Sequence, residues 1–204
     1  MNQSNIDRFE QLLGSVKREG IENLIDFIRK SDFYTAPAST RYHSCHEGGL
    51  LNHSLNVYDC LTSKRSVEVW SDIFEEIPEE TLIITALLHD VCKTYFYKSE
   101  IKNRKVYSDN GSKTDNNGKY DWESYSAYTI EDKIPYGHGE KSVMMIEEYI
   151  KLTPMERYAI RWHMGFSEPK ENYNALGSAM KKYPLIIAIQ EADIESTYLK
   201  EDEG

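Results

Sequence analysis

Histidine and aspartate residues lie on the apolar faces, or at the beginnings and ends, of several predicted apolar helices of this chain. They are His53, His89, Asp90, His138, His163 and Asp193. Imidazole and carboxylate together are ligands of divalent transition-metal ions such as Mn, Fe, Ni, Zn or Co, and Mg is a further option. Because a buried carboxylate without a positive partner costs several kcal/mol, Asp90 needs a cation beside it. The sequence therefore predicts one or two such ions at a site to which five separate segments contribute.

Each of these residues also has a simpler interpretation when it is taken alone. A single histidine on an apolar helix face, as at His53, is usually a hydrogen-bonded core residue, and Asp193 would serve as an ordinary ion-paired residue. Asp90 would pair with Lys93, three positions later on the same helical surface. The joint pattern indicates a functional site, since conflicts between residue type and local pattern concentrate at such sites.

Helices must position these side chains, because apolar residues recur at helical spacing through most of the chain. The predicted helices cover 5–18, 21–30, 49–63, 79–93, 140–150, 154–163 and 185–199. Residues 31–48 are predicted to form an ordered loop. Thr153 and Glu156 have the spacing of a capping box, with Pro154 in the first turn, which predicts where the helix that leads to His163 begins.

The segment 94–135 has a different pattern, rich in Tyr, Lys, Asn, Asp and Gly. A turn-prone tract at 108–118 separates two stretches that alternate or carry aromatic residues, which predicts an inserted β-hairpin or flap. Its aromatic residues would either stack on nucleobases over the site or form a local core where the hairpin packs on the domain. With this insertion, we predict an all-α helical bundle that forms a single domain over 1–204, with N-terminal helices at 1–32 and a core at 40–200.

Composition and charge restrict the class of protein. The 204 residues carry 24 Lys and Arg against 34 Asp and Glu, a formal net charge of −10. This charge disfavours binding to duplex DNA, because affinity there comes from neutralised phosphates. The three cysteines, Cys45, Cys60 and Cys92, cannot all pair, which favours a reducing compartment. With neither a signal-peptide pattern nor a long apolar run, we predict a cytoplasmic protein without membrane association.

The order and the local sequences of the six residues resemble those of the HD-domain superfamily of metal-dependent phosphohydrolases. The matching segments are GGLLNHSLNV around His53, ALLHDVCK around His89 and Asp90, PYGHGEKS around His138, IRWHMGF around His163, and IQEAD, which ends at Asp193. The likeness spans roughly residues 40–200. This part of the chain is similar to short stand-alone HD hydrolases and to the HD part of certain bacterial 3′–5′ exoribonucleases. The resemblance implies the family fold, which is an all-α bundle.

The resemblance implies a role for each of the six residues. The ligands of one ion would be His53, His89, Asp90 and Asp193, and a second ion would be held by His138 and His163 with Asp90 as a bridge. Asp90 and Lys93 would be the catalytic residues, the first orienting the attacking hydroxide and the second stabilising charge on the phosphoryl oxygens.

Four further residues are candidates for supporting roles. Arg41, Lys141 and Arg161 would hold the rest of a phosphorylated substrate, or they are solvated surface cations. His46 would support a ligand from behind, or it is an ordinary loop histidine.

Three classes of function remain open at this point. The first is a phosphomonoesterase or phosphodiesterase whose small phosphorylated substrate is a nucleotide, a nucleotide-derived ester or a single-stranded nucleic-acid end. The second is a di-iron oxygenase, since the same set of six residues serves iron chemistry in related HD folds. The third is a non-catalytic, metal-stabilised binding protein. The sequence favours the hydrolase, because Lys93 suits phosphoryl chemistry.

Overall fold

A computed structural model describes residues 2–40 and 44–201 of the chain. Within them most residues are helical, and one sheet lies between the fifth and sixth α-helices of the sequence. The α-helices of these residues are α1 (Gln3–Gly14), α2 (Ile21–Lys30), α3 (Gly49–Ser63), α4 (Glu68–Glu75), α5 (Glu79–Leu88), α6 (His138–Glu147), α7 (Pro154–Trp162), α8 (Tyr173–Lys182) and α9 (Leu185–Glu195). The strands are β1 (Tyr97–Tyr107), β2 (Lys113–Asp115) and β3 (Gly118–Ile130).

The three strands form an antiparallel sheet in the order β1-β3-β2, so the predicted all-α class is wrong. β1 and β3 pair over the full 11 residues of β1, and β2 pairs with the beginning of β3 inside the predicted turn region. The hairpin was predicted at about 94–135, which contains β1 and β3, but the third strand, β2, was not predicted. The strands alternate polar and aromatic residues, so both faces of the sheet are exposed to water. Hydrogen bonds between the strands pair the backbone groups, and the sheet therefore needs no helix to cover it.

Aromatic side chains of the sheet are divided between its two ends. At the end that joins the helices, the Tyr97 hydroxyl donates a hydrogen bond to the carbonyl oxygen of Ala38 (3.0 Å). At the other end Tyr120 lies between Tyr107 and Trp122, with ring centroids 5.7 and 5.9 Å apart. Part of the aromatic set thus forms a cluster of the sheet's own. Stacking on nucleobases stays a prediction.

The helical pattern predicts seven of these helices and does not predict α4 and α8. α4 has only 8 residues, and α8 buries only Leu176 and Ala179, so neither gives a sustained apolar period. The capping box before α7 is present, since the Thr153 hydroxyl accepts from the Glu156 backbone and the Glu156 carboxylate accepts from the Thr153 backbone. The last α-helix, α9, ends at Glu195 and not at residue 199 as predicted. The residues that follow it, Ser196–Lys200, form a wider π-helical turn.

Helix α5 lies in the centre of the helical part and is packed by α3, α7 and α1. Its residues from Thr81 to Leu88 are all buried, as expected for a helix that is apolar on every side. Burial on all sides fixes the position of the residues that follow it, His89 and Asp90. Among the described residues, no helix is long and apolar enough to cross a bilayer.

A buried ion pair joins the start of α7 to the segment after α1. The Arg18 guanidinium contacts both carboxylate oxygens of Glu156 at 2.6 Å, and the Thr81 hydroxyl donates to the same carboxylate at 2.7 Å. Glu156 is fully buried. Burial works against its charge, but Arg18 and the neighbouring donors outweigh burial and lower the pKa of Glu156. The pair therefore fixes α7 to the segment after α1, and the hydrogen bond from Thr81 ties the same carboxylate to α5.

We expect Glu156→Gln to lower the free energy of unfolding by about 3 kcal/mol at pH 7, because it leaves a buried guanidinium without its main partner. Since the pKa of Glu156 is lower in the folded chain, the stabilisation is present above its unfolded pKa and is lost as the pH falls through the folded pKa. Urea unfolding at pH 7 and at acid pH measures both effects. Glu147→Gln, which breaks an exposed pair with Arg157, should cost less than about 1 kcal/mol. Equal costs would contradict the prediction.

Candidate metal centre

The structure brings all six predicted ligand residues together in one buried cluster. His53 lies within α3, His89 and Asp90 follow α5, His138 begins α6, His163 follows α7 and Asp193 lies in the last turns of α9. Among them His53, His89, Asp90 and His163 are at most 3 % exposed. Their convergence agrees with the expectation from the sequence, whereas their binding of a metal stays a prediction.

The Asp90 carboxylate is the centre of this cluster, because the Nε2 atoms of all four histidines face it. His53 and His89 lie 3.6 and 3.4 Å from Oδ2. His138 and His163 lie 2.7 and 3.6 Å from Oδ1. Each oxygen of Asp90 thus has its own pair of imidazoles, an arrangement that suits a carboxylate shared between two ions.

Spacings between donor atoms fit a single ion on the Oδ2 side. His53 Nε2 lies 3.2 Å from His89 Nε2 and 3.2 Å from Asp193 Oδ1. Ligands held at about 2.0–2.2 Å from one divalent ion are about 3–4 Å apart, so these separations are those of a ligand set. The donor atoms of His89, His163 and Asp193 also lie within 4.8 Å of one another.

The second ring nitrogens of His89 and His163 are held by the backbone. His89 Nδ1 lies 2.9 Å from the carbonyl oxygen of Ala86, and His163 Nδ1 lies 2.7 Å from that of Ile160. A carbonyl oxygen only accepts, so both Nδ1 atoms carry a proton and the Nε2 atoms are the ones that face Asp90. Such partners behind the ring are what orients histidines that bind metals.

The Nε2 atom of His163 provides the test of whether a cation fits. It is a buried atom without a hydrogen-bond partner among the described residues. Its lone pair faces Asp90 Oδ1 at 3.6 Å, and two acceptors that face each other at this distance need a cation or a proton between them. The donor set and this unpartnered atom therefore fit a divalent ion.

Charge balance favours a cation as well. The cluster contains three carboxylates, those of Asp90, Asp193 and Glu201. The positive charge beside them is that of Lys93, whose Nζ lies 2.7 Å from Asp90 Oδ2. Burial opposes the charge of His53, but hydrogen bonds to Asp193 and Glu201 outweigh it and raise the pKa of His53 to about 9. The carboxylates around His53 thus favour a positive charge at this position, which a bound cation would supply.

Glu201 is a component of the site that the sequence analysis missed. Its side chain is 1 % exposed, and Oε1 lies 2.8 Å from His53 Nδ1. The hydroxyls of Ser44 and Ser196 donate to the same carboxylate. In the sequence Glu201 belongs to an acidic tract at the end of the chain, which is typical of a solvated segment. Only the π-helical turn after α9 brings it inward, and periodicity does not reveal such a turn.

We expect Glu201→Gln to weaken divalent-metal binding by about 10–100-fold, the usual cost of losing the partner behind a ligating imidazole. Calorimetric titration of the metal-free protein with Mn²⁺ measures this. Glu195→Gln is the control, because Glu195 pairs with Lys64 near the surface and does not contact a histidine ligand. Unchanged affinity in Glu201→Gln would show that Glu201 does not support the site.

Cys92 contacts His138, the fourth histidine of the cluster, and was not predicted to belong to the site. Its Sγ lies 3.3 Å from His138 Nδ1, and its backbone nitrogen donates to the Ser142 hydroxyl at 3.2 Å. His138 is the most exposed of the four histidines, with 32 % of its side chain accessible. Cys92 therefore orients the imidazole at the open side of the cluster.

A close approach of α6 to α7 places His138 beside His163. A Cβ atom on Gly139 would lie 2.3 Å from the carbonyl oxygen of Arg161, so only glycine permits this distance between the helices. The rings of His138 and His163 have centroids 5.1 Å apart as a result.

We expect Gly139→Ala to cost about 1–3 kcal/mol of stability through overpacking and to weaken metal binding at the His138 side. Thermal unfolding and Mn²⁺ titration measure the two effects. Gly177→Ala in α8 is the matched control, because its Cβ would meet no atom within 4 Å and alanine favours the helix by up to about 1 kcal/mol. If Gly139→Ala kept or raised the stability as Gly177→Ala should, the close approach would be contradicted.

The other predicted residues have different surroundings. Lys141 is 5 % exposed, with Nζ 2.7 Å from Asp132 Oδ1 and 4.9 Å from the Phe96 ring. It borders the cluster, since it lines a cleft together with His138 and Lys93.

The side chains of Arg161 and His46 contact residues other than the six ligand residues. Arg161 pairs with Glu140 and Glu168 and stacks on Trp162, so its charge is already engaged. His46 is exposed, with its Nδ1 3.0 Å from the backbone oxygen of Glu47. His46 was predicted to support a metal ligand from behind. Glu201, which contacts His53 Nδ1, has that position instead. Arg41 lies outside the described residues.

No family model, curated protein or solved structure matches this chain. The resemblance to the HD-domain superfamily therefore rests on the residues of the chain itself. What the geometry carries independently is that three overlapping trios could hold a metal ion: His53 with His89 and Asp90, His89 with His163 and Asp193, and Asp90 with Cys92 and His138.

Proposed function

We propose that this chain is a metal-dependent phosphohydrolase of the HD-domain kind, acting as a phosphomonoesterase or phosphodiesterase on a nucleotide or nucleotide-derived ester. The observation that carries the proposal is that four histidine Nε2 atoms face the two oxygens of one buried carboxylate, Asp90, at 2.7–3.6 Å. An ordinary ion pair needs one partner, whereas four imidazoles around one carboxylate supply ligands for two ions.

His53, His89, Asp90 and Asp193 would hold one divalent ion. His138 and His163 would hold a second with Asp90. Such ions lower the pKa of bound water toward about 7 and polarise a phosphoryl oxygen. Imidazole and carboxylate ligands favour Mn, Fe, Ni, Zn or Co over purely oxygen-bound ions.

Lys93 would bind the phosphoryl group. Its Nζ lies 2.7 Å from Asp90 Oδ2 and its side chain is only 14 % exposed. Burial opposes the ammonium charge, but Asp90 outweighs it and raises the pKa of Lys93, so the group stays charged. A fixed cation in a site that excludes most water stabilises the charge that grows on phosphoryl oxygens in the transition state.

The experiment compares metals and substrates directly. Metal-free protein is reloaded with Mn²⁺, Zn²⁺, Ni²⁺, Co²⁺ or Fe²⁺ and assayed with 4-nitrophenyl phosphate and bis(4-nitrophenyl) phosphate. We expect hydrolysis with at least one ion, and none without metal. Stoichiometric metal binding without hydrolysis of any phosphate ester would instead favour a metal-stabilised binding protein. Two equivalents of iron with oxygen-dependent turnover would favour a di-iron oxygenase.

A further inference from the structure

Lys141, which is buried, and Lys93, whose side chain is 14 % exposed, line one small cleft beside the metal centre. The cleft has a volume of about 120 Å³, and its lining includes Lys93, Lys141, His138, Phe96 and Asp132. Lysine is almost never buried unless it is paired, and the partner of Lys141 in this structure is Asp132, whose side chain is 32 % exposed. A phosphoryl group that enters the cleft would thus meet two ammonium groups and the more exposed face of His138.

A second cavity adjoins the cleft, because Lys141 lines both. It has a volume of about 250 Å³ and mostly apolar walls that include Met144, Met145 and the stacked pair Phe27 and Tyr149, whose ring centroids are 5.2 Å apart. Pockets for drug-sized ligands have volumes of about 300–1,000 Å³, so this cavity fits one flat ring system.

The wall of the second cavity has two features that packing alone does not explain. Thr94 lines it and is 5 % exposed, yet its hydroxyl has no hydrogen-bond partner among the described residues. The next residue, Tyr95, has a φ of +55°, which is strained for a side chain of this kind and is held by a hydrogen bond from its backbone nitrogen to Asp32. Unpartnered hydroxyls and backbone strain of this kind concentrate where ligands bind.

We propose that the cleft and the second cavity form one substrate site, in which the cleft binds the phosphoryl group and the cavity binds a flat heterocyclic base. This inference rests on the proposed function and makes it more specific. Of the substrates that the sequence left open, it selects a mononucleotide or its close ester over a nucleic-acid end bound along the sheet. Lys141, between the two compartments, would contact the phosphoryl side.

The test measures, by calorimetry, the binding of probes to the Mn²⁺-loaded chain of 204 residues. The probes are inorganic phosphate, the phosphonate analogue of ribose 5-phosphate, and the phosphonate analogues of the adenosine, guanosine, cytidine and uridine 5′-monophosphates, which resist hydrolysis. We expect at least one nucleoside phosphonate to bind about tenfold or more tightly than the ribose phosphonate, since one buried base contributes that much.

Three variants assign the compartments. Met144→Trp, which fills the second cavity from a half-buried position, should remove the preference for the base and leave phosphate binding within about twofold. Lys141→Met should weaken every phosphonate about tenfold or more. Lys64→Met is the control, because Lys64 is an equally buried lysine that pairs with Glu191 and Glu195.

The outcomes separate this inference from the proposed function. If the protein hydrolyses aryl phosphates but binds ribose phosphonate as tightly as all four nucleoside analogues, or if Met144→Trp keeps the preference, the two-compartment site is wrong and the hydrolase stands. If the Mn²⁺-loaded protein neither binds phosphate nor hydrolyses any ester, both are wrong.

Discussion

Replacing Asp90 by asparagine should abolish both metal binding and turnover while the fold is retained. Asparagine keeps the shape of the side chain, but it offers one acceptor oxygen without charge where four imidazoles and Lys93 now meet a carboxylate. We expect the loss of metal affinity to exceed the about 10–100-fold that follows when only a supporting residue is removed. Turnover should fall more than about 1,000-fold, as it does when one member of a catalytic unit is lost.

Metal content by elemental analysis and hydrolysis of bis(4-nitrophenyl) phosphate check this prediction. The control is Asp59→Asn, since Asp59 lies on α3, the helix that carries His53, but pairs with Arg8 at the surface. Asp59→Asn should keep metal and activity. If Asp90→Asn retains full activity, the mechanism proposed for the site is wrong.

Lys93→Met should lower kcat by about 100–1,000-fold without removing the metal. Methionine keeps the apolar stem but loses the ammonium, which would act on the phosphoryl oxygens mainly in the transition state. kcat and kcat/KM should therefore fall together. Metal content should stay the same or rise, because the ammonium and a metal ion compete for Asp90 Oδ2.

Steady-state kinetics and elemental analysis of the same preparation measure the two effects. Lys98→Met is the control, because Lys98 follows shortly in β1 and is exposed beside Glu100. Loss of metal from Lys93→Met would show that Lys93 maintains the site rather than binding substrate. An unchanged kcat would remove Lys93 from the reaction.

The convergence of the six residues was predictable from the sequence because each one interrupts, begins or ends a predicted apolar helix. His53 interrupts the buried face of α3, and the doublet of His89 and Asp90 follows the most apolar helix of the chain. Such local conflicts are visible in a single sequence without any structure. The same periodicity located most of the helices.

Residues that reach the site through an irregular turn, or that contact it from a distant segment, were not predictable from the sequence. Glu201 reaches His53 only through the π-helical turn at Ser196–Lys200, and nothing in its acidic surroundings distinguishes it from a solvated residue. Cys92 supports His138 across 46 positions of sequence. The sheet was underestimated because its strands carry many charged residues, which pair across the strands instead of forming a hydrophobic face, as Arg104 does with Glu123.

The most direct test of the central claim is anomalous diffraction from crystals of protein loaded with Mn²⁺, with data collected above and below the manganese absorption edge. We predict at least one anomalous peak between Asp90 and the Nε2 atoms of His53 and His89, at distances of about 2.0–2.3 Å from its ligands. A second peak beside His138 and His163 would establish the two-ion form. A loaded crystal with no peak among these six side chains would contradict the account.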